Sequence, residues 1–164
     1  MFDLSNKHRC SASSSGSIHR RRDGTFSVDL GANERQLLRT LVDQLEELLS
    51  TDSPVLERLF PPPYGDDVER NEGYAALAHP ELIEHRRAEL DVVRTSVDAT
   101  SLDEEQLSAW MRSVNDLRLV LGTILEIEED GVAPHVDDDN AATYQAYEYL
   151  GYLLETIVGA LSGD

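Results

Sequence analysis

Between Trp110 and Gly122 the chain reads as an amphipathic helix with a cation set into its apolar face. At about 100° per residue, Leu107, Trp110, Met111, Val114, Leu117, Leu121, Ile124 and Leu125 fall on one broad arc, and Arg118 projects inside it beside Met111 and Leu125. A guanidinium taken out of water without a partner costs several kcal/mol, so the fold must bring it a carboxylate or another anion. Glu155, at the margin of the apolar arc of the last helical segment, is the first partner expected, and Asp67 is the second. The reading is a structural ion pair, with an anion-binding arginine as the alternative. Asn115 lies at the flank of the same arc, and Asp116 lies on the opposite side, where exposure is expected.

The remaining segments build a small, mainly α domain of about four long helices with an N-terminal β-hairpin. Residues 1 to 16, serine-rich and without periodicity, read as a flexible leader, and residues 17 to 164 as a single domain. Ile18 to Arg22 and Thr25 to Leu30 flank Asp23-Gly24, a dipeptide suited to the positive φ angles of a tight hairpin, with Phe26, Val28 and Leu30 alternating on one side. Arg20, Arg21 and Arg22 either grip phosphates or solvate an edge strand. Leu37, Leu38, Leu41, Val42, Leu45, Leu48 and Leu49 recur at helical spacing and predict a helix over 32 to 49. Ser53-Pro54 starts a short helix over 55 to 60 that Pro61-Pro62-Pro63 ends. A helical turn is predicted near 69 to 77, after which His79-Pro80 opens a helix over about 80 to 97. Ser101 and Glu104 have capping-box spacing and start the Arg118 helix, which runs over about 103 to 125. An acidic linker over 126 to 139 leads to a last helix over 140 to 161, capped by Asp139-Asn140. There Tyr147, Leu150, Leu154, Ile157, Val158 and Leu161 form one arc while Tyr149, Tyr152 and Leu153 lie outside it. A helix apolar nearly all round is either central in its own domain or shared with a second subunit.

Charge narrows the function classes. The net charge is −18, and it is uneven: residues 1 to 22 hold five Lys or Arg against one acid, residues 23 to 164 nine against thirty-one. A body this acidic is repelled by DNA phosphates, so direct DNA binding is disfavoured and a basic protein segment is the better partner. No apolar run approaches the roughly 20 residues that span a bilayer, and the opening residues lack the hydrophobic stretch of a secretory signal, so a cytoplasmic protein without membrane contact is expected. Cys10 is the only cysteine, which excludes an intramolecular disulfide or a cysteine metal cluster.

Catalytic signatures are sparse. His85 and Glu89 have the i,i+4 spacing of two metal ligands, but a zinc site needs a third, and a solvated helix face has the same composition. No window in the run from Glu126 to Asp139 matches the full twelve-residue calcium loop pattern with glycine at its sixth position, and the run reads as a solvated linker or a landing site for a basic partner. The chain contains no glycine-rich phosphate loop and no Gly-x-Ser-x-Gly elbow. No metal or cofactor is expected.

Three segments carry a family resemblance. Arg58-Leu59-Phe60-Pro61 with Tyr64 and Asp66-Asp67, then Trp110 with Asn115-Asp116-Leu117-Arg118-Leu119-Val120-Leu121-Gly122, then Tyr147-Glu148-Tyr149-Leu150-Gly151 and Glu155, resemble in order the actinobacterial domain of unknown function 2017. The resemblance runs from about Asp23 to Leu161, and the asparagine-aspartate-leucine-arginine segment is its most specific part. It implies a regulatory role in transcription or stress response. The usual nearness of a member's gene to that of the Clp protease adaptor implies an accessory role in proteolysis as the alternative. No catalytic residues are defined for that family. The thiol switch suggested for relatives needs a cysteine pair, and this chain has Cys10 alone.

The resulting expectation is a non-enzymatic regulator acting through protein contacts, with RNA polymerase or a sigma factor as partner and a homodimer as a further option. Its structural or interaction residues are Arg118, Glu155, Asn115, Asp116, Trp110, Tyr64 and Asp67. A metal-dependent enzyme built on His85 and Glu89 is the reading from a different class.

Overall fold

The computed structural model describes residues 16–128, 130, 132 and 134–163. Strands β1 (Ser17–Arg20) and β2 (Phe26–Asp29) form the expected antiparallel hairpin, with Ile18 opposite Val28 and Arg20 opposite Phe26. Its turn differs from the tight form predicted. Gly24 alone takes a positive φ, +87°, while Arg21 N–H donates to the Thr25 carbonyl (2.7 Å) and Gly24 N–H to the Arg21 carbonyl (3.2 Å). Asp23 stays out of the left-handed region because its carboxylate accepts from the Thr25 N–H (2.9 Å) and hydroxyl (2.7 Å). A longer loop with one left-handed glycine follows.

Helix α1 (Ala32–Leu49) has the predicted bounds and buries Leu38, Leu41, Val42, Leu45 and Leu49. Its first turn holds Gly16 in place. Glu34 turns back to accept N–H donors from Gly31 (2.6 Å) and Gly16 (3.0 Å), and the Tyr152 hydroxyl donates to the Gly16 carbonyl (3.1 Å). A Cβ at residue 16 would stand 2.4 Å from Leu30 Cδ2 and 2.9 Å from the Asp29 carbonyl, so only glycine fits. Gly16 therefore belongs to the packed structure; the rest of the expected leader, Cys10 included, lies outside the described residues.

A 3-10 helix (Pro54–Leu59) buries Leu56 and Leu59. Helix α2 (Val68–Ser96) then runs unbroken for 29 residues, where a separate turn and a helix opening at Pro80 were expected. Pro80 lies inside it. The proline removes one backbone donor, and its first half is solvated enough for water to serve the freed carbonyl of Ala76; Leu77 is 86% exposed. Only the last third of α2 enters the core, through Leu90 and Val93.

Ser101–Leu102 forms β3, a strand the sequence reading missed, which pairs antiparallel with β2 to give the order β1-β2-β3. Ser101 is thereby lost as a helix cap. Asp103 takes that role for α3 (Glu104–Ile124): its carboxylate accepts from Gln106 N–H (2.7 Å) and the Gln106 side chain accepts from Asp103 N–H (3.0 Å). Helix α3 is the hub of the domain, touching α4, α2, the 3-10 helix and α1. Helix α4 (Ala141–Ser162) packs along it and against β1. Arg20 is exposed on the edge strand, where it donates to the Ala160 (3.3 Å) and Leu161 (3.0 Å) carbonyls at the end of α4. The fold is mainly α with an N-terminal hairpin. No helix among the described residues is long and apolar enough to cross a membrane.

Candidate functional site

Two polar loci interrupt the apolar faces of α3, one on each side. The first lies in the cleft between α3 and α4. Arg118 is half-buried there, its Cζ 5.2 Å from the centre of the Tyr147 ring. Its Nε passes 3.5 Å from where a Cβ on Gly151 would stand, is itself buried, and has no hydrogen-bond partner. Glu155 lines the same cleft, as expected, yet forms no ion pair with Arg118. Its side chain stays exposed at the rim while the guanidinium lies over the Tyr147 ring. The second expected partner is placed elsewhere. Asp67 caps α2, accepting from Arg70 N–H (3.1 Å) and pairing with Arg70 Nε at 3.6 Å.

The second locus lies between α2 and α3, and it corrects the expectation for Asp116. That carboxylate is 3% exposed rather than on a free face, because α2 covers the side of α3 opposite α4. Arg86 of α2 reaches it as an ion pair. One turn along, Glu89 is also buried and pairs with Arg112 of α3, while His85 Nε2 stands 3.2 Å from the same Glu89 oxygen. Burial pushes the Asp116 carboxyl up to about 6; Arg86 pulls it down by charge and hydrogen bond, and the neighbouring Glu89 adds to the rise. The other Glu89 oxygen and the Ser113 hydroxyl are buried without a hydrogen-bond partner.

This seam does not resemble a metal centre. His85 and Glu89 do meet, but Arg112 occupies the oxygen a cation would need, and no group of three His, Cys, Asp or Glu among the described residues is placed to hold a metal. The acidic approach to α4 is used locally, since Asp137 accepts from the N–H groups of Asp139 (3.0 Å) and Asn140 (3.1 Å).

The other singled-out residues have structural surroundings. Trp110 is fully buried, and its indole N–H donates to the Ser96 hydroxyl at 2.8 Å, fixing α2 against α3. Asn115 is half-buried on α3. Tyr64 is exposed before α2, edge-on to Tyr74 at 6.4 Å and beneath Arg70. Arg58, from the first family-like segment, ties the 3-10 helix to the Ile127 carbonyl just beyond α3. Sequence reasoning missed Arg86, Arg112 and Ser113. The available signal was a second stripe on α3, Ala109, Ser113, Asp116 and Val120, which is buried throughout.

The fold and its two loci define a helical domain whose buried acids Asp116 and Glu89 are each paired with an arginine across the contact between α2 and α3. Residues 15–161 match the family described as domain of unknown function DUF2017, and the chain belongs to that family. It is similar to the oxidative stress regulator AosR of Mycobacterium bovis, at 32% identity over 201 residues that take in 92% of this chain and 91% of the relative. The same figures hold for the oxidative stress regulator AosR of Mycobacterium tuberculosis. No solved structure matches the chain.

Proposed function

We propose that this chain is a non-enzymatic regulator of the oxidative stress response that acts through protein contacts on the transcription machinery, through RNA polymerase or a sigma factor. The observation that carries this reading is the similarity, over nearly the whole of both chains, to proteins named as oxidative stress regulators. The charge distribution supports the route: an acidic body is repelled by duplex phosphates and attracts basic protein segments. The buried acids favour a binding role over a catalytic one, since Asp116 and Glu89 each answer an arginine on the opposite helix rather than line a substrate cleft.

The test is crosslinked affinity purification from nuclease-treated cytosol of the source organism, with and without peroxide, read by mass spectrometry and paired with transcript profiles of a deletion strain. Enrichment of polymerase or a sigma factor, with peroxide-responsive transcripts altered in the deletion, is the expected result. Enrichment of Clp components instead would move the role to proteolysis. Tight binding of purified protein to DNA that weakens steeply with salt would overturn the indirect route. A Cys10→Ser strain with a normal peroxide response would remove the only thiol as the sensor.

A further inference from the structure

We propose that α4 is a self-association surface: two copies of this chain meet through antiparallel α4 helices, with Arg118 of each copy facing Glu155 of the other. The inference does not depend on which partner the regulator engages.

Helix α4 carries two adjacent apolar seams of the same spacing. Ala146, Leu150, Leu153, Ile157 and Ala160, separated by four, three, four and three residues, are buried against the rest of the domain. One position further on, Tyr147, Gly151, Leu154, Val158 and Leu161 repeat the same alternation. The domain covers these only in part: four are half-buried and Val158 is 43% exposed. Alternation of four and three is the spacing by which one helix seats another. Leu153, expected outside the apolar arc, is in the buried seam, and Val158, expected inside it, is in the open one.

The charges beside the open seam fit a second copy better than an unrelated helix. Arg118 has a buried Nε without a partner and no ion pair among the described residues, and it lies over Tyr147 and beside Gly151 of the open seam. Glu155, exposed on the same rim, also lacks an ionic partner among the described residues. The nearby Glu148 is already engaged by the Tyr144 hydroxyl. One surface thus holds an unanswered cation and an unanswered anion that do not meet within the chain. A two-fold interface requires that self-complementarity, because each patch is its own partner.

Register follows from the spacing. A two-fold axis midway between Gly151 and Leu154 sets Gly151 opposite Leu154 of the second copy and Tyr147 opposite Val158, a small residue and a larger one across each other. Arg118, between the levels of Tyr147 and Gly151, then meets the level of Glu155. A parallel pair would set Arg118 against Arg118 and is excluded by charge.

The experiment is analytical ultracentrifugation of the full chain over the micromolar range, at about 0.15 M salt so that repulsion between the acidic bodies is screened beyond about 8 Å. A concentration-dependent dimer is expected. Val158→Glu, at a position open enough to leave the helical circular dichroism unchanged, should weaken it by roughly tenfold or more. Arg118→Glu should weaken it as well, and the double variant Arg118→Glu/Glu155→Arg should recover most of the loss. A chain monomeric throughout, a dimer indifferent to Val158→Glu, or a double variant no better than Arg118→Glu would each overturn the proposal.

Discussion

Asp116 gives the sharpest quantitative test of how the helices are held. Its carboxyl is buried between α2 and α3, and its folded-state pKa of about 6 lies above the value near 4 of an unfolded chain. Below about pH 4 both states are protonated and the site imposes no penalty. Between pH 4 and 6 the folded chain retains a proton the unfolded chain has released, so stability falls as pH rises, by about 3 kcal/mol over the full window. Above pH 6 both states are ionised and the penalty is complete. Asp116→Asn keeps the shape of the protonated acid and carries no charge, so its contribution is flat with pH. Arg86, with a side chain 26% exposed, can turn to water when its partner is neutral. The two proteins share every other titrating group, so the difference between their stabilities isolates Asp116. The isoelectric point near 4.4 makes the lower end of the window prone to precipitation, and the measurement belongs between pH 5 and 7. Over that span wild type should lose about 1 kcal/mol relative to Asp116→Asn. Urea unfolding followed by fluorescence of Trp110, the single tryptophan, reports it directly. A difference that stays constant from pH 5 to 7 would mean that Arg86 fully offsets burial and would refute the reasoning.

The same fluorescence assay checks three further substitutions. Ser96→Ala removes the acceptor for the buried Trp110 indole N–H and should cost about 1–3 kcal/mol; an unchanged urea midpoint would show that the bond does not hold α2 to α3. Gly159→Ala adds a Cβ with nothing within 4 Å inside α4, so stability should rise by about 0.5–1 kcal/mol, and a fall would contradict the open surroundings. Arg118→Met, measured at dilution, removes a guanidinium whose Nε lacks a hydrogen bond, so stability should hold or rise; a loss above about 2 kcal/mol would show an intramolecular partner for Arg118.

What the sequence made legible depended on whether the deciding contact was local. Helix α1 is buried on one side only, so the spacing of Leu38, Leu41, Leu45 and Leu49 fixed its type and its bounds. Pro80 misled for a physical reason: the hydrogen bond it removes is on a solvated stretch of α2, where water can replace it, and the helix continues. Ser101 and Asp103 each begin a capping-box pattern, and the choice between them was made by β2, which recruits Ser101 into the sheet. The polar residues on α3 show the same limit most clearly. A single apolar arc accounts for a helix packed on one side, whereas α3 is covered on two, and Asp116 therefore became buried while seeming to face away. The need of Arg118 for an anion was visible from its place in the arc, and Glu155 does line its cleft. Whether the two could meet was set by the rotation of α3 and α4 about their own axes. That rotation follows from how Leu150, Leu153 and Ile157 fill the core, and it leaves Arg118 over the Tyr147 ring, with the apolar spacing that continues along α4 open beside it.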